Sequence, residues 1–318
     1  MLGSGFVTSK SAIVTGASGF LGTAMTSLLL SHGYEVITID RSSSPLFTGI
    51  FSIVGNLNTL DLFSCVPVRN YSACFHFAGS SSVPASFDHP LKDFISIVPA
   101  TLNLILFLSK RHPDCRLFVG SSAAVYGNPP SLPISETFPL APISPYGIHK
   151  TLVENLCAHY SRLLCFPISI LRIFSAYGAG QTKQLLWDTS KKLYEASLLG
   201  LDSIRMWGTG EETRDFIHAT DVARAALCLA ECQSNHLFDV LNVAGGTQVK
   251  IAELVEDLCL SWGYAISPIF GGEVRIGDPV QWCADISNLN KYGYMPSILL
   301  DDGLRDYVVW AKNILSNR

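Results

Sequence analysis

A tyrosine and a lysine four positions apart, Tyr146 and Lys150, could act together as an acid–base pair. They stand at the start of a segment with apolar residues at helical spacing, and residues four apart share one face of a helix. The phenol of an unperturbed tyrosine, with a pKa of about 10, is a poor base at neutral pH, but a neighbouring ammonium favours its ionised form. We therefore predict that Lys150 lowers the pKa of Tyr146 into the range in which the phenolate can accept a proton. An ordinary exposed tyrosine and lysine would produce the same pattern, so other features must support this one.

Two serine hydroxyls, Ser121 and Ser122, follow a predicted strand over residues 116–119. The carboxyl ends of parallel strands form the ligand crevice of an open sheet, so these hydroxyls are placed to meet a substrate. We predict that Ser122 hydrogen-bonds the reacting oxygen and that Ser121 satisfies backbone groups. A bare Ser-Ser turn would support no functional assignment by itself.

Three glycines, Gly16, Gly19 and Gly22, lie between a predicted strand and a predicted helix. Glycine allows a tight turn and a close approach of backbone N–H groups to a pyrophosphate, and the helix N-terminus adds partial positive charge. Asp40 ends the second predicted strand, where a carboxylate can accept hydrogen bonds from the adenosine ribose and repel a 2′-phosphate. The pattern predicts NAD in preference to NADP, although the adjacent Arg41 weakens that preference. We expect the oxidised nicotinamide to aid Lys150 in lowering the pKa of Tyr146. The alternative is a glycine-rich turn with an aspartate that caps a helix or faces solvent.

Short segments rich in β-branched and aromatic residues alternate with segments of helical periodicity through the first half of the chain. The predicted strands cover residues 12–15, 35–40, 50–54, 73–77, 116–119 and 168–172, and the predicted helices cover residues 20–32, 91–111 and 146–164. Strands that alternate with helices pair in parallel through right-handed crossovers, which predicts an α/β fold with a doubly wound parallel sheet. One further strand and helix are predicted at residues 240–243 and 251–262. We predict a dinucleotide-binding domain over residues 1–175, to which about 212–245 returns, and a smaller mixed α/β substrate domain over 176–318.

The composition argues against several classes of protein. The 318 residues include 22 lysines and arginines against 26 aspartates and glutamates, and the net charge of −4 offers no field that would attract a nucleic acid. The nine cysteines include no C-x-x-C pair, which is typical of core residues in a reduced protein and predicts no metal site. The mean hydropathy is +0.31, yet no run approaches the roughly 18 consecutive apolar residues of a membrane span. The sequence predicts a cytoplasmic protein without a membrane partner.

Six motifs follow one another along essentially the whole chain. They are Thr15-Gly-x-x-Gly-x-x-Gly22, Ser121-Ser-x-x-Val-Tyr-Gly127, Ser144-Pro-Tyr-Gly-x-x-Lys150, Arg172-x-Phe-x-x-Tyr-Gly178, Gly208-x-Gly-x-x-x-Arg-Asp-Phe-Ile-His218 and Ala284-Asp285. In this order they resemble the extended short-chain dehydrogenase/reductases, and more narrowly the nucleotide-sugar epimerase/dehydratase branch of that family. The resemblance implies a Rossmann-type fold, NAD as the cofactor and a nucleotide sugar as the substrate.

The resemblance also assigns roles to single residues. The catalytic positions are Ser122, Tyr146 and Lys150. The cofactor-binding positions are Gly16, Ser18, Gly19, Phe20, Leu21, Gly22, Asp40, Arg41, Asn56, Leu57, Phe77, Ala78, Gly79, Ser121, Tyr146 and Lys150. The substrate-binding positions are Ser81, Ser122, Ser175, Arg214 and Arg275, with the two arginines on the diphosphate. For an isolated arginine, a surface ion pair would be the ordinary interpretation.

The residues after the catalytic serine indicate the reaction. The 4,6-dehydratases carry an Asp-Glu pair at these positions, where this chain has Ala123 and Ala124, and methyl groups cannot transfer protons. We therefore predict NAD-dependent epimerisation at C4 of a UDP-hexose. The alternatives are a 4-keto-sugar reductase, another reaction of the family, and a cofactor-sensing protein without turnover. The resemblance also implies a homodimer through a four-helix bundle of the helices near 91–111 and 147–164.

Several residues depart from the pattern of the family. Ser175 and Ile97 stand where many epimerases have asparagine, Asn56 stands where an aspartate commonly faces adenine, and Ser80, Ser81 and Ser82 stand where sister enzymes carry lysine or histidine. These changes leave the identity of the sugar open. His149 and His218 have no matching partner for a metal site or a triad, so we expect neither to carry chemistry. Asp215 and Asp221 are expected to be structural.

Overall fold

Alternating strands and helices make up most of the chain. The structure, a computed structural model, describes residues 10–44, 46–232, 236–273 and 277–317. Its strands are β1 (Ser11–Thr15), β2 (Glu35–Asp40), β3 (Phe51–Val54), β4 (Tyr71–His76), β5 (Arg116–Ser122), β6 (Ile168–Ile173), β7 (Ser175–Tyr177), β8 (Ser203–Met206), β9 (Thr213–His218), β10 (Phe238–Val243), β11 (Gln248–Lys250) and β12 (Ser267–Phe270). Its α-helices are α1 (Phe20–Ser31), α2 (Val83–Asp88), α3 (Pro90–Arg111), α4 (Pro145–Leu164), α5 (Gln184–Leu199), α6 (Ala219–Glu231), α7 (Ile251–Trp262), α8 (Ser287–Asn290) and α9 (Leu300–Ser316). Short 3₁₀ turns cover Leu60–Cys65 and Ala123–Val125.

Seven of these strands form one parallel sheet in the order β10-β6-β5-β4-β1-β2-β3. The chain runs outward from β1 to β3 on one side and from β4 to β10 on the other, so the strand order reverses between β1 and β4. Sheets of this kind bind ligands at that reversal, outside the carboxyl ends of the strands. The predicted doubly wound α/β fold is confirmed.

Both faces of the sheet are apolar, because successive strand residues point to opposite sides and helices cover each side. Ile13 of β1 packs on one side in a cluster with residues of α3 and α4. Its neighbours Ala12 and Val14 pack on the other side with residues of α1 and α6. The late elements α6 and β10 therefore lie with the sheet, although they follow a long excursion of the chain.

A smaller unit forms around the helices α5, α7 and α9. Their buried residues, including Trp187, Leu254, Trp262 and Tyr307, build a third apolar cluster. Two small sheets, β11-β9-β7 and β12-β8, complete this part of the chain. The sequence predicts only α7 and β10 after residue 175, so the structure adds β7, β8, β9, β11, β12, α5, α6, α8 and α9. The predicted boundary at residues 175 and 176 and the return of about 212–245 stay predictions.

Among the described residues, one helix, α3, is long and apolar enough to cross a membrane when judged by length and composition alone. The mean hydropathy of its 18-residue window is 1.7. In the structure Ile97, Leu104 and Leu108 on its inner face are buried against the sheet. Helices in the core of soluble proteins pass the same test. The predicted cytoplasmic location and the absence of a membrane partner stay predictions.

A buried ion pair joins the sheet to α4. Arg172 on β6 donates from Nε to both carboxylate oxygens of Glu154, at 3.1 Å each, and from Nη2 to Oε2 at 2.7 Å. Ser121 at the end of β5 donates its hydroxyl to Glu154 Oε1 at 2.6 Å, and Arg172 also reaches Tyr126 Oη at 2.8 Å. The side chains of Arg172 and Glu154 are 6% and 4% exposed. This network fixes the strand end that carries Ser121 and Ser122.

Replacement of Glu154 by glutamine should destabilise the fold by about 3–5 kcal/mol, because the Arg172 guanidinium is then buried without a counter-charge. Urea unfolding followed by circular dichroism measures this loss. The matched control is Asp302→Asn, which breaks the exposed pair with Arg305 on α9 and should cost less than about 1 kcal/mol. Equal losses in the two variants would contradict the prediction.

Candidate active site

The start of α4 places Tyr146 and Lys150 one helical turn apart. Ser144 caps the helix by accepting the Gly147 N–H at 3.1 Å, and Pro145 occupies the first helical position, where no N–H is needed. Both functional side chains face inward, with exposed fractions of 9% for Tyr146 and 8% for Lys150. Lys150 Nζ donates to the Gly120 carbonyl oxygen at 2.7 Å and lies 5.7 Å from the centre of the Tyr146 ring. The predicted pair therefore exists, at the carboxyl end of β5.

Ser122 completes a cluster with these two residues. It is the last residue of β5, and its hydroxyl accepts the Ala124 N–H at 3.2 Å, which starts a short 3₁₀ turn. The Ser122 side chain also interacts with the Tyr146 phenol, and this interaction acts to lower the pKa of the phenol. The structure thus brings Ser122, Tyr146 and Lys150 together at one strand end, as the sequence predicts.

Burial dominates the ionisation of both groups. It raises the pKa of Tyr146 to about 12, against the opposing effect of the Ser122 hydrogen bond and with a further rise from the negative charge of Asp93. Burial lowers the pKa of Lys150 to about 8, while the charges of Asp93 and Glu154 act to raise it. In the chain by itself, Lys150 does not bring the Tyr146 pKa into the working range. The predicted lowering, which also needs the charge of an oxidised nicotinamide, stays a prediction. The loss of water around the phenolate outweighs an ammonium on the next turn.

The glycine-rich loop between β1 and α1 packs backbone against backbone. Gly16 has φ of +74°, and a Cβ there would lie 2.6 Å from the Ala78 nitrogen. A Cβ on Gly22 would lie 2.0 Å from the Gly16 carbonyl oxygen. Gly19 stands at the N-cap of α1, so the free N–H groups of the first helical turn open at the strand ends. This cradle exists only without side chains, and it fits the pyrophosphate of a dinucleotide.

Asp40 stabilises this loop and stands at the edge of the crevice. Its Oδ2 accepts the Ser18 N–H at 2.8 Å, and its Oδ1 accepts the Arg41 N–H at 2.6 Å. Each carboxylate oxygen keeps a second lone pair that could accept a ribose hydroxyl. Asp40 therefore does not cap α1, whose N-cap is Gly19, and its contacts with the loop are compatible with ribose binding.

The remaining predicted cofactor positions line the same edge of the sheet. Phe20 and Leu21 begin α1, and Asn56 and Leu57 follow β3, where Asn56 Oδ1 accepts the Asn58 N–H at 3.0 Å. The segment of Phe77, Ala78 and Gly79 follows β4, and the Phe77 N–H donates to the Thr15 carbonyl at 3.0 Å. Ser121 differs from expectation, because its hydroxyl donates to the Glu154 carboxylate rather than to backbone. Its side chain thereby supports the site, and its assignment to the cofactor stays a prediction.

The predicted substrate positions lie on several elements. Ser81 follows β4, and its carbonyl accepts the Gln184 amide at 3.5 Å, whereas Ser175 begins β7. Arg214 on β9 donates to the Thr213 carbonyl at 2.8 Å, and its guanidinium lies 5.4 Å from the centre of the Trp282 ring. Arg275 lies outside the described residues.

Asp215 and Asp221 are structural, as predicted. Asp215 accepts backbone N–H groups of Gly245, Gly246 and Ala284. Asp221 accepts the N–H groups of Ser297 and Ile298.

Two features of the structure are not predicted from the sequence. His149 has a partner after all, because its Nδ1 lies 2.6 Å from Asp93 Oδ2 on α3. Gln184, at the start of α5, has φ of +68°, a strained value for a residue other than glycine. The first contact joins residues 56 positions apart, and no local pattern marks either feature.

Comparison with known proteins gives a consistent result. The model of a family described as NAD dependent epimerase/dehydratase matches residues 12–244. The UDP-glucose 4-epimerase of Azospirillum brasilense is 29% identical over 327 residues, which cover 96% of this chain and 93% of that protein.

Solved structures are similar over nearly their whole length. MoeE5 in complex with UDP-glucuronic acid and NAD has a TM-score of 0.85 at 30% identity, covering 96% of this chain and 99% of its own. A UDP-N-acetylglucosamine 4-epimerase from Methanobrevibacter ruminantium, in complex with UDP-N-acetylmuramic acid, has a TM-score of 0.84 at 28% identity, covering 98% and 99%. These similar proteins are named for, or bound to, different UDP-sugars.

Gly22→Ala should weaken dinucleotide binding about tenfold or more, because the added methyl group would collide with the Gly16 carbonyl oxygen and push the loop out of place. Calorimetric titration with NAD measures the affinity. The control is Gly33→Ala, where φ is +74° but no atom lies within 4 Å of the new Cβ. That variant should lose about 1 kcal/mol of stability and keep its affinity. An unchanged affinity in Gly22→Ala would refute the assignment of this loop.

Proposed function

The chain belongs to the NAD-dependent epimerase/dehydratase family, and we propose that it interconverts UDP-hexoses that differ in configuration at C4. It is an NAD-dependent epimerase. The hexose and the roles of single residues are our proposal. The observation that carries it is the cluster of Ser122, Tyr146 and Lys150 at the carboxyl end of β5, next to the glycine-rich loop.

We assign the cofactor to the edge formed by the ends of β1 to β5. The loop from Gly16 to Gly22 would hold its pyrophosphate, Asp40 its adenosine ribose, and Lys150 its second ribose through the donors not used on Gly120. When bound, NAD supplies the hydride acceptor and a positive charge that favours the phenolate of Tyr146.

Proton transfer is then the task of the chain's own residues. Tyr146 Oη takes the proton from the sugar 4-hydroxyl when C4 is oxidised and returns it when C4 is reduced on its opposite face. Ser122, whose side chain interacts with the phenol, hydrogen-bonds the same sugar oxygen. Because one oxygen both accepts and returns the proton, a single acid–base group is enough.

The neighbours of Ser122 support epimerisation over dehydration. Ala123 and Ala124 are 0% and 7% exposed, and both pack in the apolar cluster with Tyr146. Elimination of water needs a separate acid and base beside the sugar, and these methyl groups offer neither. Arg214, held against the Trp282 ring, would bind the diphosphate while the sugar turns.

The decisive experiment is incubation of the purified protein with UDP-glucose, UDP-N-acetylglucosamine and UDP-glucuronate, with no NAD added. We expect at least one of them to be converted to its C4 epimer, as separated by liquid chromatography. A 4-keto-sugar reductase would instead leave all three sugars unchanged and would reduce an added UDP-4-keto-hexose with consumption of one equivalent of reduced cofactor. Failure with all three sugars, in protein shown to contain NAD, would refute the proposal.

Tyr146→Phe should lower kcat by about 10²–10⁴-fold, because the ring stays in place and only the proton-transferring oxygen is lost. Its melting temperature should stay close to that of the unaltered protein. Tyr264→Phe, which changes a phenol that is 57% exposed on the far unit, serves as the control and should keep full activity. A fully active Tyr146→Phe variant would remove Tyr146 from the mechanism.

We also propose that two copies pair through the outer faces of α3 and α4. Leu152 and Leu163 on α4 are 43% and 74% exposed, and Leu106 on α3 is 44% exposed. Leu156, in contrast, packs on the sheet core, so it belongs to the inner face. Exposed leucines on two adjacent helices form an apolar surface that a second copy could cover by isologous pairing.

A charge on this surface should separate the copies. Leu152→Glu should shift the mass in analytical ultracentrifugation from dimer to monomer, because pairing would bury the new carboxylate. Leu260→Glu, at an exposed leucine of α7, should stay dimeric. A monomeric unaltered protein would overturn the proposal.

A further inference from the structure

A buried carboxylate stands beside the proposed catalytic cluster, on a different helix. Asp93 lies in the first turn of α3, and its side chain is 3% exposed. Its Oδ2 lies 2.6 Å from Nδ1 of His149, which immediately precedes Lys150. Its Oδ1 is buried and has no hydrogen-bond partner among the described residues. A buried acceptor without a partner destabilises the fold, so its retention calls for an explanation.

The charge of Asp93 reaches both proposed catalytic groups. It acts to raise the pKa of Tyr146 and to raise the pKa of Lys150. The two effects have opposite consequences at neutral pH, since one opposes the phenolate and the other preserves the ammonium. A carboxylate at this place therefore favours the protonated form of both groups.

The other titratable groups around the cluster are balanced or neutral. Glu154 is paired with Arg172 by three hydrogen bonds. His76 is buried between two threonine hydroxyls, and burial lowers its pKa to about 3, so it is neutral. Burial raises the pKa of the Cys157 thiol far above neutrality. Among the described residues, Asp93 is thus the acidic group near the cluster that no guanidinium balances.

We propose that Asp93, oriented by His149, is a positioning residue that supplies the counter-charge to Lys150 and sets how readily Tyr146 ionises. The proposal rests on the assignment of Tyr146 as the acid–base group. Asp93 touches the reaction only through these neighbours, and the contact with His149 fixes the direction of its carboxylate. His149, which the sequence left without a role, acquires one as the residue that orients Asp93.

The direction in which the pH profile should shift follows from the protonation of Tyr146 and Lys150. Activity rises with pH as the Tyr146 phenol ionises and falls as the Lys150 ammonium loses its proton. Removal of the Asp93 charge makes the phenol more acidic and the ammonium less stable, so both limbs of the pH profile move to lower pH. A merely structural defect would lower kcat at every pH without moving the limbs.

Asp93→Asn in the NAD-bound protein should shift both limbs of the kcat profile to lower pH by about one unit. The control, Asp88→Asn, removes an exposed carboxylate at the end of α2 and should leave the limbs in place. If Asp93→Asn does not fold, as judged by circular dichroism, Asp93→Ser removes the same charge and takes its place. Limbs that stay unmoved when the charge is removed would overturn the proposal.

A second measurement needs no turnover. Tyrosinate absorbance at alkaline pH, taken as the difference between each NAD-bound protein and its Tyr146→Phe counterpart, follows the ionisation of this phenol alone. The midpoint should be lower in Asp93→Asn than in the parent, and a midpoint that is not lower overturns the proposal. If the unaltered protein converts no UDP-hexose, the proposed function fails, and this titration still decides the role of Asp93.

Discussion

The burial of an ammonium group, Lys150, is the constraint on which the arrangement around the site depends. Burial alone disfavours its charged form, so the charge must be stabilised by groups fixed in advance. The Gly120 carbonyl provides a direct hydrogen bond, and the carboxylates of Asp93 and Glu154 provide negative charge. Glu154 is in turn held by Arg172. The stabilisation of one charged group thus involves residues of α3, α4, β5 and β6, and the apolar core could not supply it.

The parallel sheet explains why these contacts meet in one place. Reversal of the strand order between β1 and β4 leaves a crevice at their carboxyl ends. The glycine-rich loop enters from one side of the crevice and the strand end of Ser122 from the other. The glycine-rich loop packs closely against neighbouring backbone because Gly16 and Gly22 have no side chains that would keep the two apart. The sheet, which helices cover on both faces, therefore holds in place site residues that lie far apart along the chain.

The sequence predicts the strands and helices whose residues follow a regular local pattern. Before residue 175, strands and helices alternate regularly along the chain, and this alternation predicts the sheet. The order of the motifs predicts the cluster of Ser122, Tyr146 and Lys150. The later elements α5, α6 and α9 were missed because loops with glycine and proline interrupt the regularity. The contact between Asp93 and His149 was missed because it depends on how α3 packs on α4. The burial that raises the pKa of Tyr146 is not predicted, because desolvation is a property of the folded interior.

The proposed reaction explains why one acid–base group is enough at this site. A reaction that removes a proton and later returns it to the same oxygen leaves the net charge of the site unchanged over a full cycle. Such a site needs one acid–base group whose two forms are nearly balanced, and it needs no path for protons to water. The buried Ala123 and Ala124 and the enclosed Tyr146 agree with that requirement. A neighbouring carboxylate that sets this balance is then as much a part of the active site as the groups that touch the sugar, because the phenol can return the proton only if it does not hold its ionised form too firmly.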